Sequence, residues 1–532
     1  MTRPYCLFIA LVLLVSWIPQ RTVAQNLQSA IQKTIAKVKP ACVRLWGFDT
    51  LQQVRTSAQF SAVVVKDNYI LTAAHVTIPG NTYKVMFPDG REAIAIALGK
   101  IELADDKTRP DVALMKILKG NWPQVETGSS AALQKLQPCL SIAYPESLNQ
   151  TQPTVRLGKV TDPLNSRGFI HSTCLMEPGD SGGPLFDLAG KLIGLHSAIE
   201  VPEADNYDIP IDLYQKYRAA LQQPVVYHNW PETVSNIKPR KALPALTDQP
   251  KAGNYEGACV KLNSRLDVKS QVVMGTVFSY KGQTLIVSKS SLIGNSVMMG
   301  QTPVSIIARD LNTDLVLLRP AATLKGGIKL EGTDSNIQAG SFLFAPLADT
   351  STISGIISGG PLDLPKTNSA GFLGATPMHN SSPAKVYFVR AGSPAALNEI
   401  KTGDIVTMLN GASITDADAF ADVMSKSWPG DTLKIKLKRG AEEIEKTIIL
   451  TYPPDIIHDH PAEHFAGGKS RRRDGFRQIY TSDLILKPGQ CGGPIFDARR
   501  HFCGLNIARY SRANSLLIKA ADVKQFILMV IK

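Results

Sequence analysis

Two glycine-rich stretches, Pro178-Gly-Asp-Ser-Gly-Gly-Pro-Leu-Phe-Asp187 and Pro488-Gly-Gln-Cys-Gly-Gly-Pro-Ile-Phe-Asp497, are close copies of each other. Whatever fold houses the first must house the second. Further echoes run in the same order. Ala41-Cys-Val-Arg-Leu45 matches Ala258-Cys-Val-Lys-Leu262, Asp111-Val-Ala-Leu114 matches Asp314-Leu-Val-Leu317, and Leu192-Ile-Gly-Leu195 matches Phe502-Cys-Gly-Leu505. The first copy covers about 28–224. It reads as short strands such as Phe60–Val65 and Tyr83–Phe87, punctuated by turns such as Pro88-Asp-Gly90. Many short strands with few helices predict an all-β barrel or sandwich, built twice.

The second copy is interrupted, with one part at 254–369 and the other at 476–532. Between them, 370–452 has a different texture. It starts at Gly371-Phe-Leu-Gly374, passes through the strand 385–389 and Gly392-Ser-Pro-Ala-Ala396, and continues with a helix near 417–426 before strands at 432–438 and 442–451. That is an independent α+β module. The Pro-rich stretch 225–253 reads as a linker and 453–475 as a flexible return. At the start, Arg3 precedes an apolar run from Cys6 to Ile18 and the small-residue site Thr22-Val-Ala24, so residues 1–24 read as a cleaved signal peptide. The run is too short to span a bilayer, which takes about 20 residues, and no later stretch qualifies. The expectation is an exported protein, periplasmic or secreted, with no transmembrane segment after cleavage.

Composition enters only by exclusion. Seven Cys in 532 residues cannot make a disulfide scaffold. Export permits disulfides, but six Cys remain after cleavage and the sequence leaves their pairing open. The net charge of +13 is dispersed, so no nucleic-acid partner is expected. The run Arg471–Arg473 reads as a solvated loop.

The chemistry concentrates in the first copy. His75 ends the apolar run Leu71-Thr-Ala-Ala, Asp111 opens a strand, and Ser181 sits among glycines. A serine hydroxyl is a poor nucleophile until a His takes its proton, with a carboxylate holding the other ring nitrogen. Glycines let a turn adopt backbone conformations closed to other residues, so that the amides of Gly179 and Ser181 can point together at a developing oxyanion.

Leu71-Thr-Ala-Ala-His75, Asp111-Val-Ala-Leu114 and Gly179-Asp-Ser-Gly-Gly-Pro184, in that order, resemble the trypsin-like serine proteases. Phe87-Pro-Asp-Gly-Arg-Glu92, Gly194-Leu-His-Ser-Ala-Ile199 and Ile209-Pro-Ile-Asp212 narrow the resemblance to the HtrA/Deg family, and 370–452 resembles its PDZ domain. The resemblance implies a mostly β protein with two chymotrypsin-like double β-barrel domains, the second interrupted by the PDZ-like domain. It implies His75 as general base, Asp111 as its orienting partner and Ser181 as nucleophile. Leu175, His196 and Ser197 would bind substrate, and Phe372, Leu373, Gly374 and Ala375 would cradle a peptide's C-terminal carboxylate. It further implies unfolded proteins or peptides as substrates, no cofactor or metal, and self-association, trimers being common in the family. Asp180 stands where the family often has Asn, yet the predicted start near Gln25 is not an apolar activating terminus. No proteolytic activation is expected.

The second copy reads as catalytically inert. Ser290 or its neighbour takes the place of the base, Gln490 that of Asp180 and Cys491 that of the nucleophile, with His501 ten residues on. A thiolate also needs a base or a lowered pKa. The cluster His458-Asp-His460-Pro-Ala-Glu-His464 has the residue types of a zinc site, but it lies in the return segment and is read as a loop. The rival to a protease is a non-catalytic peptide-binding or chaperone-like protein that retains the triad.

Overall fold

A computed structural model describes residues 23–103, 110–237, 255–266, 269–332, 336–454 and 459–531. Almost all of the predicted leader lies outside these residues, as do most of the stretch 225–253 and His458. Among the described residues no helix is long and apolar enough to cross a membrane.

The described residues fold into four closed six-stranded β-barrels and one α+β unit. The first barrel runs from Cys42–Asp49 to Val112–Ile117 and closes where Val112–Ile117 pairs with Glu92–Ile101. Its strands show why a barrel forms. In Glu92–Ile101 every second residue from Ala95 to Ile101 is buried, which aims one face inward. The second barrel runs from Pro138–Ala143 to Asn206–Pro210 and closes between Pro184–Phe186 and Lys191–Ile199. The third, from Cys259–Leu266 to Leu315–Pro320, and the fourth, from Phe342–Pro346 to Ser515–Lys519, repeat that plan. The protein is thus mostly β, with two double-barrel units.

The fourth barrel is assembled from two separate stretches. Its strand Thr352–Leu364 pairs with Phe476–Ser482, and the whole α+β unit is inserted between them. That unit has the two-stranded pair Ala375–Pro377 and Val386–Val389, a four-stranded sheet from Ile405–Leu409 to Glu442–Ile449, and the helix Ala417–Lys426. Leu373, Val406, Phe420 and Leu437 make its own core.

Two stretches read as flexible are partly built into the fold. Val226–Tyr227 form a short strand parallel to Glu92–Ile101, and Trp230 stacks on Tyr217. In the return segment Ser470, Arg472 and Asp474 are buried. The reading of Arg471–Arg473 as a solvated loop is therefore corrected for Arg472. Its guanidinium stacks on Trp428 of the inserted unit, 4.0 Å from the ring centre, and its Nη1 lies 3.6 Å from Asp314 of the third barrel. An aromatic face and a carboxylate supply what water would otherwise give the charge.

Candidate active site

Strand register brings the first two residues together. Tyr69–Ala73 pairs with Val112–Ile117 so that Ala73 faces Val112. His75 follows on the next turn, and Asp111 immediately precedes its strand. Asp111 adopts a left-handed φ of 51° that turns its carbonyl to the Ala74 amide, at 2.9 Å. Its carboxylate accepts from the His75 amide at 2.9 Å and lies 2.9 Å from His75 Nδ1. Ser181 comes from the second barrel, in the loop before Pro184–Phe186. Its Oγ is 3.1 Å from His75 Nε2. The three residues face one another across the junction of the two barrels.

The electrostatics suit a general base. Burial works against a charged His75, but the hydrogen bond that its ring donates to Asp111 and the negative charge of that carboxylate outweigh it, leaving the imidazole above its ordinary pKa. Asp111 is nearly buried, whereas the His75 side chain is 45% exposed and can reach a substrate. Ser197 contributes a residue role that the sequence did not suggest. Its hydroxyl donates to Asp111 Oδ2 at 2.5 Å, so its side chain positions the carboxylate.

The nucleophile loop is tightly built. Gly179 has φ 94°, and a Cβ there would lie 2.5 Å from the Glu146 amide nitrogen, so only glycine fits. Ser61 stitches the loop to the first barrel. Its amide donates to the Ser181 carbonyl at 3.0 Å and its hydroxyl to the Gly179 carbonyl at 2.7 Å. Among the described residues, neither the Gly179 nor the Ser181 amide donates to an acceptor, so both remain free to donate to a developing oxyanion.

Asp180, beside the nucleophile, is fully buried. Its Oδ2 accepts from Arg156 Nη1 at 2.7 Å and from the Glu177 amide at 2.9 Å. Sequence reading missed Arg156, because nothing in the strand Thr154–Asp162 announces a partner 24 residues away. A buried guanidinium from the same domain thus supplies the counter-charge to this carboxylate.

One predicted substrate residue, His196, needs correction. The His196 side chain is fully buried, its ring nitrogens 2.6 Å from both Ser141 Oγ and Asp208 Oδ1. It supports the nucleophile loop from below, because its carbonyl accepts the Gly182 amide at 2.7 Å. Leu175 lines a cavity of about 320 Å³ together with Leu27, Phe342, Gly355 and Asp483, which places it at the interface with the fourth barrel.

The corresponding place in the second unit has the same backbone and different chemistry. The Ser290 amide donates to the Asp314 carbonyl just as Ala74 does to Asp111, so Ser291 occupies the position of the base. Asp314 is instead neutralised by Lys289, with Nζ 2.6 Å away and both side chains buried. Cys491 is fully buried, which raises its thiol pKa, and its Sγ lies 3.9 Å from Ser470 Oγ. His501 pairs with Asp497 in its own turn at 3.3 Å. Among the described residues no group of His, Cys, Asp and Glu is arranged to hold a metal ion.

In the inserted unit, Phe372, Leu373, Gly374 and Ala375 form one loop leading into Ala375–Pro377. The Phe372 amide is already engaged by the Thr451 carbonyl at 2.8 Å. Leu373 and Ala375 are buried in the unit's core. The Leu373 and Gly374 amides donate to no acceptor among the described residues.

Residues 60–195 match the trypsin-like peptidase domain family, and residues 371–450 match the PDZ domain family. The chain thus carries a trypsin-like peptidase domain and a PDZ domain, and it resembles HtrA-type proteases. It is similar to a probable periplasmic serine endoprotease DegP-like of Halomonas elongata, 31% identical over 30% of this chain and 34% of that protein. It is also similar to the serine protease HTRA1 of Xenopus laevis, 29% identical over 40% of this chain and 46% of that protein. A DegP-like protein of Pseudomonas savastanoi pv. phaseolicola aligns more widely, at 26% identity over 69% of this chain and 73% of its own. The chain thus spans about a third to a half of the first two relatives' length. The peptidase match covers the domain that holds His75, Asp111 and Ser181.

Proposed function

We propose that this chain is an exported serine endopeptidase that cleaves unfolded or misfolded proteins, with the chemistry confined to the first domain. The observation that carries the reading is the continuous line of contacts from Asp111 through His75 to Ser181, at 2.9 and 3.1 Å. Ser181 Oγ attacks the scissile carbonyl as its proton passes to His75 Nε2. Asp111 stabilises the imidazolium and fixes its orientation. The amides of Gly179 and Ser181 donate to the oxyanion as it forms. His75 then gives its proton to the leaving amine, and water releases the acyl group by the same steps in reverse.

The second domain is an inert scaffold in this account. The replacement of the base by Ser291 and the burial of Cys491 support that role. The inserted domain binds extended peptides. The exposed edge of Ala375–Pro377 would receive a strand and the amides of Leu373 and Gly374 a terminal carboxylate. The DegP-like relatives named as periplasmic support export.

The test is turnover of casein by the full chain beside Ser181→Ala. Cleavage lost only in that variant supports the reading. A well-folded wild-type chain that binds casein without cutting it would favour the binding-protein alternative.

A further inference from the structure

The loop between the last two strands of the fourth barrel does not stay with its own domain. Tyr510 Oη donates to the Ser147 carbonyl at 2.7 Å, and Asn514 Nδ2 donates to Glu177 Oε1 at 2.9 Å. Arg512 reaches deepest. Its Nη1 donates to the Met176 carbonyl at 2.7 Å and to Asn206 Oδ1 at 2.8 Å, and its Nη2 donates to the Glu203 carbonyl at 2.6 Å. The Arg512 side chain is fully buried, so these bonds replace its water.

All of these acceptors lie in the three segments that shape the nucleophile loop of the first domain. Asn206 Oδ1 also accepts the Met176 amide, at 3.1 Å. Arg512 therefore holds the Met176 carbonyl directly and, through Asn206, its amide as well. Glu177 is held by its side chain from Ser147 and Asn514, while its amide donates to Asp180. Asp180 in turn lies between Gly179 and Ser181, whose amides have no acceptor among the described residues. Residues 176–180 are thus pinned from one side by Arg156 of their own domain and from the other by the second domain.

We infer that the loop Tyr510–Asn514 is a built-in clamp, with Arg512 a positioning residue that holds residues 176–181 in the catalytically competent form. This gives the inert second domain a function in the reaction. The inference rests on the proposed serine-protease reading for its catalytic consequence, but not for the clamp itself.

The test uses the full chain and reads amide hydrogen exchange of residues 176–183 by mass spectrometry, with the rate of fluorophosphonate labelling in parallel. Arg512→Ala should speed exchange at 176–183 at least tenfold and slow labelling at least tenfold, while residues 92–101 keep wild-type protection. Arg512→Lys should fall between the two. Exchange at 176–183 within twofold of wild type in Arg512→Ala overturns the clamp. If Arg512→Ala loses protection throughout, Asn514→Ala and Tyr510→Phe carry the same expectation, and unchanged exchange at 176–183 and 146–149 in both overturns it. If wild type fails to label, the protease reading falls and the exchange result still decides the clamp.

Discussion

Asp111 has three duties: it receives the His75 ring, the His75 amide and the Ser197 hydroxyl. Asp111→Asn should keep the fold and lower kcat about 10⁴-fold, the cost of presenting the imidazole in the wrong tautomer. The pH profile carries the same information. His75 works as a base only when neutral, and its pKa is raised, so kcat/KM should fall on acidification with a midpoint above about 6.5. In Asp111→Asn the residual activity should show that midpoint moved to lower pH. A wild-type midpoint below about 6.5 would contradict the electrostatic account. Arg156 and Asp180 make a second residue-scale case. Arg156→Met leaves a buried carboxylate uncompensated and should cost about 3–5 kcal/mol, measured as a lower urea midpoint. Adding Asp180→Asn removes that charge and should restore most of the loss.

Elements explain what the sequence could and could not disclose. The duplicated Gly-Gly-Pro turns, the strand-ending His75 and the strand-opening Asp111 are short motifs whose geometry is local, so the repeat, the β character and the meeting of His75, Asp111 and Ser181 could be read before the structure. Arg156 and Arg512 could not, because each acts across a long sequence separation on groups that look ordinary in their own strands. Arg472 misled for a different reason. A run of three arginines looks solvated, yet its middle member is drawn inward by Trp428 and Asp314. His196 followed the family position of a pocket residue, but Asp208 and Ser141 bury its ring. In the second unit the turn is kept, while Ser291 stands at the position that His75 holds in the first. Cys491→Ser should therefore leave casein turnover within about twofold of wild type. A large loss would show that the thiol takes part in the chemistry.

At the scale of the molecule, the two double barrels share surfaces that a tandem of independent domains would not. The helix Val23–Val38 lies between them. Thr34 donates to the Leu188 carbonyl of the second barrel, and Gln28 accepts the Phe342 amide of the fourth. Ile31, Ile35, Phe342 and Phe344 join the core of the first domain. Asp483 completes the junction, accepting from Leu157 across the interface at 2.9 Å and from Ile356 at 2.6 Å. Burial pushes its carboxyl up to about 6, against these two amides. The folded protein therefore holds this proton more tightly than the unfolded chain, whose Asp pKa is about 3.9. The contribution of Asp483 to stability is complete below about pH 4 and is lost as pH rises towards about 6. Thermal midpoints compared across that window should show this component in wild type and lose it in Asp483→Asn. An unchanged slope in the variant would assign the pH dependence to other groups.

Under the proposed function, one serine in the first domain performs the chemistry and the second domain performs none. The most direct measurement is fluorophosphonate labelling of the full chain, followed by mass-spectrometric mapping of the modified residue. A single adduct on Ser181 is expected, abolished by Ser181→Ala or by His75→Ala and unaffected by Cys491→Ala. A folded chain with no adduct at Ser181, or one labelled elsewhere with Ser181 unmodified, would contradict it.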